Sequence, residues 1–137
     1  MPINAPEPYQ VFTAAQLRGM AVTNADHVLF HPAAARYWSN VVNKDHAETL
    51  IAETHEEQAD LYLVLEGEAE LYLGGTLLNP TSPAPGQQRG TGLTGATRFP
   101  LHPGDVANIP AGTPHMLDVR GSRLTYMVLK IELQIKS

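Results

Sequence analysis

The chain contains no cysteine. Disulfides are excluded, and so is any metal site built on thiolates, so an ion held here must be held by nitrogen and oxygen. Positive charge is also scarce. Nine Lys and Arg stand against fourteen Asp and Glu, for a formal net charge of -5 over 137 residues. The basic residues are scattered, so the basic face that nucleic-acid phosphates require is missing, and no nucleic-acid partner is expected. No apolar run approaches the length of a membrane span, so no membrane partner is expected either. The first eight residues carry prolines at 2, 6 and 8 and lack the basic start and apolar core of a signal peptide. A cytoplasmic protein is the expectation. Trp38 is the single tryptophan, and packing in a core or a dimer interface suits it better than stacking on a substrate.

What the sequence has instead is punctuation. Eleven glycines and eleven prolines break it into short β-rich runs, the pattern of an all-β domain with many turns. The length suits one domain, 1–137, large enough to bury a core without staples. Residues 1–24 read as an arm and one short helix. Thr13-Ala14-Ala15-Gln16 is a capping box, with Leu17 and Met20 following at helical spacing and an end near Gly19. Strands are expected over 27–31, 36–42, 46–55, 60–66, 68–73, 98–101, 106–109, 115–119 and 124–131. A turn is expected at 43–45, and a hairpin between 60–66 and 68–73. Residues 76–100, rich in Pro, Gly, Thr and Ser, read as a long loop, either a lid over a cavity or a surface insertion.

Two stretches carry the chemistry. Glu53 and His55 are two apart, so on a strand their side chains share a face. Asp60 follows beyond the turn at 56–59, which brings three candidate ligands to one face of a strand pair. His115 comes just after Pro110-Ala111-Gly112-Thr113-Pro114, a turn whose prolines fix its direction. A closed barrel brings it opposite the others. Two imidazoles and two carboxylates suit Fe, Mn, Ni or Zn as a divalent ion. Tyr62 and Val64 share the parity of Asp60 and should line the cavity, where Tyr62 could donate a hydrogen bond to a ligand. Glu57 is the fallback ligand and a candidate proton-handling group, although an exposed turn position is its ordinary role. His27, His31, His46 and His102 lie outside both stretches and read as surface or hydrogen-bonded residues.

Those stretches resemble the two motifs of the cupin superfamily. The first motif is His, any residue, His, three or four residues, Glu, six residues and Gly. Glu53, His55, Asp60 and Gly67 stand at these positions. The second runs Gly, five residues, Pro, one residue, Gly, two residues, His, three residues and Asn. Gly104, Pro110, Gly112 and His115 match it, with Val119 in place of Asn. The resemblance implies a small single-domain cupin of the conserved type-2 barrel, a double-stranded β-helix (jelly-roll barrel) with one metal ion inside one mouth. It implies His55, His115, Asp60 and Glu53 as ligands of that ion. Glu for the first His adds negative charge, and the shorter Asp for Glu must sit closer to the ion or bind it through water. The implied function is an enzyme acting on a small organic molecule, of dioxygenase or isomerase, cyclase or lyase type, with Tyr62 and Glu57 as catalytic candidates. The alternative is a non-catalytic small-molecule-binding barrel with a structural metal or none. A homodimer is expected, as single-domain cupins often pair through the N-terminal sheet.

Overall fold

A computed structural model describes residues 9–45 and 50–133. The arm through Pro8 and the first part of the strand expected over 46–55, with His46, lie outside the described residues. The first element is α1 (Ala14–Ala21), followed by β1 (His27–Phe30), β2 (Tyr37–Lys44), β3 (Ala52–His55), β4 (Gln58–Gly67), β5 (Ala69–Leu73) and β6 (Thr76–Leu78). Then come β7 (Thr81–Ala84), β8 (Gln87–Gly90), β9 (Gly92–Thr94), β10 (Thr97–Leu101), β11 (Val106–Ile109), β12 (His115–Asp118) and β13 (Leu124–Glu132).

The capping box forms as expected. The Gln16 amide nitrogen donates to the Thr13 hydroxyl at 3.1 Å, and the Thr13 amide donates to Gln16 Oε1 at 2.8 Å. These bonds satisfy two of the orphan donors of the first turn. The helix runs past Gly19 to Ala21, which is buried. No helix among the described residues is long and apolar enough to cross a membrane.

The strands form a five-stranded sheet, order β1-β2-β13-β4-β11, and a six-stranded sheet, order β10-β5-β12-β3-β8-β7, with β6 and β9 as a separate pair. From β2 to β5 and again from β10 to β13, consecutive strands alternate between the two large sheets, which is the winding of a jelly roll. This corrects the expected hairpin. β4 and β5 do not pair but lie in opposite sheets, so the apolar faces of both meet across the interior. Gly67 makes the crossing. Its φ is 86°, and a Cβ there would sit 2.0 Å from the Arg123 carbonyl oxygen, so no other residue fits without moving backbone. The turn expected at 43–45 does not form at Asn43 and Lys44. β2 continues to Lys44 because β13 pairs with it throughout, while the Asn43 amide group donates to the carbonyls of Met20 and Ala25.

The long loop expected over 76–100 is replaced by short strands. β8 pairs with β3 and β7 with β8, extending the six-stranded sheet. β6 and β9 pack Leu77 and Leu93 against Ala52 and Met116 on that sheet's outer face. Short polar strands gave no period-2 apolar signal, yet the backbone of 52–55 needed a partner and found it there.

The core lies between the sheets. It is built on Tyr62, Val64, Leu71, Ile109, Leu124 and Val128, with further apolar neighbours. Each such side chain contributes about 2 kcal/mol when buried.

Candidate metal centre

β3 alternates strictly. Ala52 and Thr54 are buried on the outer face of their sheet, which leaves Glu53 and His55 pointing into the barrel. The end of β3 is tied down on both sides. The Gly112 amide donates to the His55 carbonyl at 2.7 Å, and the Glu56 amide to the Gly86 carbonyl at 2.9 Å. Gly112 takes φ 80° in the turn that delivers β12, where His115 stands directly opposite Glu53 in the ladder. The two motif stretches thus meet as neighbouring strands of one sheet.

Both imidazoles are oriented from behind. His55 Nδ1 is hydrogen-bonded to Gln87 Oε1, and His115 Nδ1 donates to the Thr113 carbonyl at 3.0 Å. Each acceptor takes the proton on Nδ1, which leaves Nε2 as the nitrogen that faces the cluster. The rings lie 5.1 Å apart between centroids. His55 Nε2 is 3.3 Å from Glu53 Oε2, and ligand atoms of Glu53, His55 and His115 all lie within 4.8 Å of one another. Two ligands on one ion at about 2.1 Å stand roughly 3.0–3.4 Å apart, so closing this group onto a cation takes small side-chain movements. The donor set, two nitrogens and a carboxylate, fits a first-row divalent metal.

Asp60 is placed differently from the other three. It is buried in β4, facing the histidines from the opposite sheet, with Oδ2 4.0 Å from both Nε2 atoms. Its oxygens are held by Lys130 Nζ at 3.1 and 3.2 Å. The sequence expectation of three ligands on one strand pair is corrected here. Glu53 and His55 come from one sheet and Asp60 from the other, because β3 and β4 do not pair.

The charges are mutually arranged. The hydrogen bond from His55 holds the Glu53 carboxyl down to about 2, against the opposing effect of burial. The same bond raises His55 above 6.5, again against burial. Burial pushes His115 down. Arg89 Nε lies 3.7 Å from Glu53 Oε1.

A cavity of about 110 Å³ opens beside these groups, lined by Glu53, His115, Tyr62, Tyr126, Lys44 and Leu117 among others. That volume takes several waters or one small organic molecule. Tyr62 and Tyr126 pack at 4.5 Å between ring centroids. Burial raises both phenols well above their ordinary value, so both are neutral O–H groups. Glu57 lies elsewhere. Its carboxyl group rests against Gly86, and it does not line this cavity.

Four contributors escaped the sequence reading. Lys130 had a usable signal, a lone charge inside the apolar run 124–131. Tyr126 had one too, since the period of two puts 126, 128 and 130 on one face. Gln87 and Arg89 had none, because they lay in a segment that reads as a loop.

No protein-family model matches the sequence, and no curated protein is similar enough to count as a relative. Solved structures do match. DMSP lyase DddQ from Ruegeria pomeroyi DSS-3 is 19% identical with a TM-score of 0.55, over 82% of this chain and 49% of the lyase. This chain therefore spans about half the length of that protein. A cupin superfamily protein from Desulfitobacterium hafniense DCB-2 is 18% identical with a TM-score of 0.55, over 96% of both chains. A Cupin 2 conserved barrel domain protein from Salinispora arenicola CNS-205 is 16% identical with a TM-score of 0.52, over 94% of this chain and 91% of that one. Identities at this level speak to architecture, and the winding, the sheet order and these neighbours agree: the chain has the cupin fold.

Proposed function

We propose that this protein is a divalent-metal-dependent enzyme acting on a small organic molecule in the barrel cavity, with Glu53, His55 and His115 holding the ion. One observation carries the reading. Both histidines have Nδ1 committed to fixed acceptors, so both Nε2 atoms converge with the Glu53 carboxylate, ready to bind an ion once His55 Nε2 gives up its proton. A buried polar cluster with no ligand to bind has no need of such orientation.

When bound, Fe, Mn, Ni or Zn would supply Lewis-acid or redox chemistry to an oxygen of the substrate. The chain's own groups do the rest. Tyr62 and Tyr126, kept neutral by burial, donate hydrogen bonds to substrate oxygens and do not act as bases. The reaction falls in the dioxygenase or isomerase, cyclase or lyase classes, and a lyase among the fold neighbours is in keeping with the last of these. The same reading takes the protein as a cytoplasmic homodimer.

A non-catalytic binding barrel is the second reading. It is favoured by Glu53 already having Arg89 beside it and His55, a cation whenever protonated, as its hydrogen-bond donor, which allows the cluster to stand without an ion. Elemental analysis of untagged protein, purified without added metal, separates the two. About one equivalent of a transition metal, lost in His55→Ala, is the expected result. Metal far below one equivalent that is not restored by anaerobic addition of each ion would move the assignment to the binding barrel.

A further inference from the structure

Asp60 stands at the position where the cupin motif has its carboxylate ligand, yet it already has a cation. Lys130 and Asp60 are directly opposed in the β13–β4 ladder, so the pairing is built into the register. Lys130 Nζ reaches both carboxylate oxygens. The Asp60 side chain is 2% exposed and that of Lys130 23%. A buried carboxylate must be neutralised by something, and here a side chain does it. Glu53, meanwhile, reaches the histidines from their own sheet, with an oxygen 3.3 Å from His55 Nε2, closer than Asp60 at 4.0 Å.

We propose that Lys130 occupies Asp60 in place of the metal, so that the ion is held by Glu53, His55 and His115 alone and the fourth motif position serves as a charge-neutral clamp behind it. This rests on the metal-binding reading above and refines it. The centre becomes a three-ligand site with one carboxylate, which leaves more coordination positions to the substrate than a four-ligand site does. Its charge is less negative by one than a site that counts Asp60. Lys130 is a positioning residue, acting on the ion only through the carboxylate it retains.

The test is metal binding in variants of the full chain, read by stoichiometry, affinity and the visible absorption of bound Co(II). Asp60→Asn/Lys130→Met removes both charges together and nearly keeps their shapes, so folding should survive. It is expected to bind one ion with an affinity within about threefold of the parent and with the parent's Co(II) spectrum. Lys130→Met alone frees the buried carboxylate. It is expected to tighten metal binding by about tenfold or more and to change the Co(II) spectrum as a fourth protein ligand joins. Loss of metal from the double variant, to the extent seen in His55→Ala, would overturn the proposal by showing Asp60 to be a ligand in the parent. An unaltered Co(II) spectrum in Lys130→Met would overturn it by showing that Lys130 does not hold Asp60 away. A parent protein that binds no metal would sink the metal-binding reading itself, an outcome distinct from either.

Discussion

At the scale of single residues, the centre is a set of mutually dependent charges. His55 lifts above 6.5 because Glu53 accepts its hydrogen bond, and Glu53 falls to about 2 for the same reason. The stability consequence has a definite sign. The raised His55 contributes stability that is full below 6.5 and is lost as pH rises through its folded value. The lowered Glu53 contributes stability that is present above 4.5 and is lost as pH falls through about 2. In metal-free protein the two contributions coincide in the window between 4.5 and 6.5. Glu53→Gln should therefore lower the melting temperature of chelated protein more at about pH 5.5 than at about pH 8. Equal losses at the two pH values, by thermal denaturation, would show that Glu53 and His55 are not an ion pair in the folded protein.

At the scale of elements, the motif strands were legible and their neighbours were not. The spacing of Glu53 to His55, the turn before His115 and Gly67 each impose a local geometry that a sequence displays directly. Sheet membership is a long-range property. Nothing within 58–73 distinguishes a hairpin from a crossing, since both need the same glycine and the same alternation. The strands within 81–90 are short and largely exposed, and only the ladder of β7 on β8 and β8 on β3 makes them strands. That ladder gives the segment a testable role. Joining residue 80 to residue 91 through a short turn would remove β7 and β8, and with them Gln87, Arg89 and the backbone partners of β3. The melting temperature is expected to fall by about 5 °C or more, as for loss of packed structure, and metal affinity should fall with it. A chain that melted unchanged would make the segment a detachable lid.

At the scale of the whole molecule, the proposed ligands come from strands far apart in the chain that meet only in the folded sheet. Glu53 and His55 stand on β3 and His115 on β12, paired in one sheet with the Asp60–Lys130 pair facing them from the other, so an ion held by these three ligands would bind only the folded barrel. Metal should raise stability by about 2.7 kcal/mol at a concentration one hundred times its dissociation constant, several degrees in melting temperature for a chain of this length. Calorimetry across a metal titration checks this, and a melting temperature independent of metal would mean that the ion is not bound by the folded state. The two large sheets also end in different ways. β7, the outermost strand of the six-stranded sheet, pairs irregularly with β8, carries Pro83 with no N–H to offer, and uses the Ser82 hydroxyl to cover the carbonyls of Ala84 and Gln87. A short, irregular border that lacks the Pro83 donor and has the Ala84 carbonyl occupied is a poor template for another copy of the chain. That side of the barrel is thus guarded against runaway self-association, and any strand-to-strand recruitment between copies is steered to the borders formed by β1, β10 and β11.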